Sequence, residues 1–222
     1  MEEINKHIGQ FDFWSIFGTG AVTLTSYLVA FRPQIATFKE MGFPLLLSIG
    51  VALSYTIGLI LYCISSLLVD CKILKLSASD AIGNPNSYGW MSEIYYKRYL
   101  EKSNAISESD FHAQYDILKL RGVPARVDKL HTIHGMTRGI ATGYLALALI
   151  AAYKFCSKNN LSSLFDIHRE TKIVNFTDAA LFTGFFVLSF AFYITSKKYL
   201  YRWIEWILAE YDYLTENSSG KK

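Results

Sequence analysis

FPLLLSIGVALSYTIGLILYCISSLLV, residues 43–69, contains no charged side chain. At 1.5 Å per helical residue it reaches about 40 Å, more than the roughly 30 Å of hydrocarbon in a bilayer. It reads as a membrane-crossing helix. Working outward from it, three further apolar stretches run from Phe11 to Phe31, Met136 to Phe155 and Thr177 to Thr195, with charge only near their ends. The chain of 222 residues is 51% hydrophobic, 15% aromatic and 18% charged, too apolar and too blocky for one soluble domain.

The expected fold is an all-α membrane protein with four transmembrane helices and a small helical cytoplasmic cap. Residues 1–70 form the N-terminal tail and first two spans, and 71–135 a cytoplasmic helical segment. Residues 136–196 hold spans three and four with an outer loop, and 197–222 an amphipathic C-terminal helix and tail. Lys and Arg collect in the tails and middle segment, with fewer in the two short connections, so both termini are expected in the cytoplasm. Trp14, Trp90, Trp203 and Trp206 fall on that same face, as an interfacial aromatic belt would. The first span reads as a retained helix, because Glu2, Glu3 and Lys6 precede it and no A-x-A site follows. Compact size and the lack of a targeting segment point to a bacterial inner membrane.

A net charge of +3, spread along the chain, does not suggest a nucleic-acid partner. Three cysteines without metal-type spacing indicate neither a disulfide framework nor a zinc site, and no cofactor is expected. No membrane-depth Asp, Glu, His, Lys or Arg marks a proton relay or ion-coupled transport path. Walker, GxSxG and GxGxxG motifs are missing as well.

Pro44 and Pro124 suit the first turns of the second and third spans. The third span is expected to run unbroken from Pro124 to Cys156, and the fourth to continue past Lys198 as an amphipathic helix. In the middle segment, Gly83 to Ser87 signals a turn and Trp90 to Lys102 a helix. A second helix opens at Ser107 or Ser109, carries Phe111, Tyr115 and Leu118 on one face, and stops at Gly122. Phe111, Tyr115, Trp203 and Trp206 are therefore the expected surfaces by which the cap packs and meets a partner.

Small residues let helix backbones approach closely in lipid, where apolar surface alone drives nothing together. Gly139 and Gly143 form a GxxxG pair, Gly50, Ser54 and Gly58 a stripe on the second span, and Gly18, Thr19, Gly20, Thr23 and Ser26 make the first small and polar on one side. Such stripes serve packing within a four-helix bundle or self-association into a homo-oligomer.

One constellation has chemical potential. His131 and His134 lie three apart on a predicted helix, and His112 and Asp116 lie on the helix before it. Histidines and carboxylates from adjacent helices can hold a divalent metal, but HxxH without the intervening Glu is not the zinc-protease pattern, and packing near headgroups serves such histidines equally. The stretch from Arg121 to Arg126 resembles a fragment of the motif of phospholipid-headgroup transferases, without the aspartates that bind their metal. Arg121, Arg126, Lys129 and Arg138 are placed to meet anionic lipid headgroups.

Three functional classes result. The first is a self-associating pore-forming or membrane-effector subunit gated through its cap by a soluble protein or small-molecule signal. The second is a passive adaptor or assembly factor that recruits a soluble partner. The third is a membrane-embedded lipid-modifying enzyme centred on His112, Asp116, His131 and His134.

Overall fold

The structure is a computed structural model that describes residues 2–31, 42–76, 81, 108–122, 125–159 and 176–219. The expected turn at 83–87, the helix at 90–102 and the connections after the first and third spans lie outside the described residues. Five helices are described: α1 (Glu2–Phe31), α2 (Phe43–Asp70), α3 (Glu108–Arg121), α4 (Ala125–Asn159) and α5 (Phe176–Ser219). Among the described residues there is no strand. Four helices are long and apolar enough to cross a membrane, over Phe13–Phe31, Phe43–Asp70, Ala125–Ser157 and Thr177–Thr215.

Local chemistry accounts for several helix ends. The Gly42 carbonyl accepts from the Leu45 and Leu46 amides at 3.1 Å, and Pro44 occupies the first turn of α2, where its missing N–H leaves no gap. At the other end of α2, Lys72 takes a positive φ of 58°. The Ile73 amide bonds the Leu68 carbonyl at 3.0 Å and the Lys72 amide bonds that of Val69 at 2.8 Å, a Schellman closure with lysine where glycine is usual. Helix α3 ends as the sequence predicts, at Gly122 with φ 92°. The fourth span does not stop at the bilayer edge. Helix α5 has 44 residues, about 66 Å at 1.5 Å each, because apolar positions keep helical spacing beyond Lys198.

The chain packs as two compact units. Unit 1 comprises Met1–Ser15, Ser65–Met136 and Ile194–Lys222; unit 2 comprises Ile16–Ile64 and Thr137–Tyr193. Helices α1, α2, α4 and α5 contribute residues to both.

In unit 1, Phe111 and Leu118 of α3, Val127 of α4, and Leu200, Tyr201, Trp203, Ile204, Ile207 and Leu208 of α5 form one buried cluster, with Ala81. Tyr115, Leu130, Trp206, Tyr211 and Leu214 pack on its edge. Spacings of three and four residues on α3 and α5 put these side chains on facing stripes, which is why the helices dock there.

In unit 2 the backbones themselves touch. A Cβ added to Gly20 of α1 would overlap the Ser54 carbonyl of α2, and one added to Gly58 would overlap the Ile16 carbonyl. On the other side of α1, Thr19 fills the space above Gly139 of α4 and Thr23 the space above Gly143. Contacts Ile16 with Gly58 and Gly20 with Ser54 make α1 and α2 antiparallel, while Thr19 with Gly139 and Thr23 with Gly143 make α1 and α4 parallel. Ser189 Oγ donates to the Ala141 carbonyl at 2.8 Å, and Tyr144 stacks on Phe185, so α5 runs back against α4. These directions are what four successive crossings of one bilayer require.

Candidate functional site

The histidines on α4 sit within unit 1, each engaged differently. His134 is 5% exposed and faces Ser196, itself fully buried. His134 Nδ1 lies 3.0 Å from both the Ser196 carbonyl and the Ser196 Oγ, and Oγ lies 3.2 Å from the His134 carbonyl. The hydroxyl has one proton to give. With the proton on Nδ1, the imidazole donates to the Ser196 carbonyl while the hydroxyl donates to the His134 carbonyl, and both donors are used. Nδ1 is thereby occupied in joining α4 to α5.

His131 is exposed at its edge, with its ring 5.0 Å from that of Trp203 and tilted by 31°. Trp203 is the hub of this region, meeting Phe111 edge-on at 5.8 Å and Tyr115 at 5.3 Å. Among the described residues, its buried Nε1 has no hydrogen-bond partner. His112 and Asp116 are exposed on α3, His112 meeting the Phe111 ring at 5.8 Å. Among the described residues, no three His, Cys, Asp or Glu side chains converge where they could hold a metal ion. The packing thus assigns His134 to a helix junction and His131 to an aromatic stack.

The aromatic residues expected at a partner surface are placed unequally. Phe111 is 0% and Trp203 8% exposed, both inside the unit 1 core, whereas Tyr115 and Trp206 are half-buried at its margin. Exposed apolar side chains on unit 1 include Ile117, Leu120 and Tyr213, with Phe13, Trp14, Leu67, Ile73 and Ile194 exposed as well.

Of the basic residues, Arg121 and Lys129 are exposed in unit 1, and the Arg126 guanidinium lies 3.7 Å from the Trp206 ring. Arg138, in unit 2, is half-buried over the Tyr62 ring at 5.5 Å.

The small residues divide as well. Gly58, Ser54, Gly139 and Gly143 are taken up in contacts between helices of this chain. Gly18 is half-buried, and a Cβ on Gly50 would meet nothing within 4 Å. Sequence reasoning places Gly20 on the small side of the first span but not as the crossing point of α1 and α2, and it misses Ser196 as the partner of His134. A Gly at an i,i+4 spacing from Ile16 is visible in the chain, but which helix it faces is not.

These features define a multi-pass helical membrane protein. No family model, curated protein or solved structure matches the chain.

Proposed function

We propose that this chain is a non-enzymatic, self-associating membrane protein, a pore-forming or effector subunit in which unit 1 acts as a cytoplasmic cap that receives a signal. The observation that supports this reading is that α1, α2, α4 and α5 each supply residues to both packed units, so a partner bound to unit 1 acts on helices that also build the spans. Because Gly139 and Gly143 are filled by Thr19 and Thr23, assembly falls to the side of α2 marked by Gly50. A small residue there permits close approach of a second copy.

The test is the mass of the protein in lipid nanodiscs together with conductance across a planar bilayer. Oligomers that are lost in Gly50→Leu support the proposal. A strictly monomeric, non-conducting protein sinks it.

One observation favours an adaptor instead. Leu120 is 88% exposed on α3, with Ile117 and Tyr213 also exposed in unit 1, an apolar surface for a soluble partner. A partner captured by the wild type but not by Leu120→Glu, with no oligomer in nanodiscs, identifies the adaptor.

A further inference from the structure

Unit 2 contains a cleft of about 740 Å³ between α1, α4 and the first half of α5. Val29 and Ala30 form one wall, and Thr177, Leu181, Phe185 and Leu188 the other. Tyr144 lies at its base, its hydroxyl 3.2 Å from that of Ser26. Val29 is 70% exposed and Leu188 41%, so the cleft opens sideways on apolar spans, where the solvent is lipid.

Its dimensions select the occupant. From Thr177 to Leu188 a helix rises about 16 Å, close to one leaflet of a hydrocarbon core about 30 Å thick. A helix from a second copy, about 10–12 Å across, would need well over about 1,000 Å³ for that length. One extended acyl chain is slimmer. Mainly apolar walls with a few hydroxyls, and a volume in the range of about 300–1,000 Å³, are also what small-ligand sites share.

The cleft has a charged end. Lys154 Nζ lies 4.2 Å over the Phe31 ring at the terminus of α1, and Phe31 packs 6.1 Å from Phe185 of the cleft wall. The carboxyl-bearing Asp178, next to Thr177, is 6% exposed and withdrawn from the mouth.

We propose that this cleft binds one glycerophospholipid, with an acyl chain along α5 from Thr177 to Leu188 and the phosphate at Lys154. Such a lipid touches three helices at once, whereas a lipid against the exposed face of α2 touches one. It would be a fixed component of the protein, distinct from the exchanging bilayer around it.

The experiment uses the full chain in phosphatidylcholine vesicles containing phosphatidylglycerol with a photoactivatable group on one acyl chain. Cross-links are mapped by peptide mass spectrometry. Wild-type protein is expected to label at Val29, Leu181 and Leu188 above the level at Leu45, Leu47 and Val51 of α2. Ala30→Trp, which fills the cleft, brings the two levels together, and Val29→Trp at the exposed mouth does so without touching the packed interior. Lys154→Gln lowers cleft labelling roughly fivefold, the effect of one basic residue near anionic headgroups. Even labelling of α2 and the cleft in the wild type, or cleft labelling unchanged by Val29→Trp, overturns the proposal.

Discussion

His134 and Ser196 answer each other across α4 and α5, each side chain bonding the other residue's backbone carbonyl. The two bonds are not equal in what their loss exposes. His134→Ala removes a buried ring and its bond across the two helices and opens a cavity, a loss of about 2–4 kcal/mol. Ser196→Ala removes one hydroxyl bond and leaves the imidazole donating, a loss of about 1 kcal/mol. Unfolding midpoints in detergent measure the contrast, and equal losses would show that the buried imidazole contributes no packing beyond its one bond.

At the crossing of α1 and α2 there is no room for a methyl group. Gly20→Ala sets a Cβ against the Ser54 carbonyl, and because backbone cannot rotate aside as a side chain can, the helices must separate. The expected loss is about 2–4 kcal/mol. Gly139→Ala meets only the Thr19 side chain, at 2.8 Å, and is expected to cost less, about 1–2 kcal/mol. Gly50→Ala, facing open space, stays within about 0.5 kcal/mol. The order of the three midpoints is the check.

Trp203 carries a buried Nε1 proton that meets no acceptor among the described residues. Trp203→Phe keeps most of the stacking area and removes that donor, so the change is expected to lie within about 1 kcal/mol of neutral. Trp203→Ala opens the centre of the unit 1 cluster and costs about 3–5 kcal/mol. If Phe proves as damaging as Ala, the indole nitrogen is serving a partner.

Lys72 holds a left-handed conformation that side chains other than glycine adopt at a cost of about 1–2 kcal/mol. Lys72→Gly keeps the closing bonds of α2 and is expected to stabilise by about 1 kcal/mol, offset in part by the freer unfolded chain. A raised thermal midpoint confirms this, and a lowered one shows that the lysine side chain contributes a contact.

Much of the architecture was legible because membrane helices obey a length rule that a single chain displays. All four spans, the stop at Gly122 and the continuation past Lys198 could be read from hydropathy, a C-terminal glycine and helical spacing. The facing stripes of α3 and α5 were legible for the same reason, since Phe111, Tyr115 and Leu118 repeat at helical intervals. What could not be read was pairing. Nothing in the chain says that Thr19 covers Gly139 or that Gly20 meets Ser54, because these contacts depend on three-dimensional register between helices far apart in sequence. Ser196 was hidden in the same way: a lone hydroxyl in an apolar run usually bonds its own helix, as Thr142 does to the Arg138 carbonyl at 3.1 Å. The end of α2 was legible from hydropathy, but its closing geometry was not, because Lys72 lacks the glycine signature.

The unit 1 cluster joins Phe111 and Leu118 to side chains from Leu200 onward. During synthesis at about 5–20 residues per second, Phe111 leaves the ribosome roughly 5–20 s before Trp203 does. For that interval its apolar face has no mate from the last helix, while α1, α2 and the Gly139–Gly143 face of α4 can already meet. Membrane insertion can therefore precede completion of this cluster, and chains cut short before residue 200 would be delivered to the bilayer with a sticky, unfinished segment that quality-control proteases can recognise.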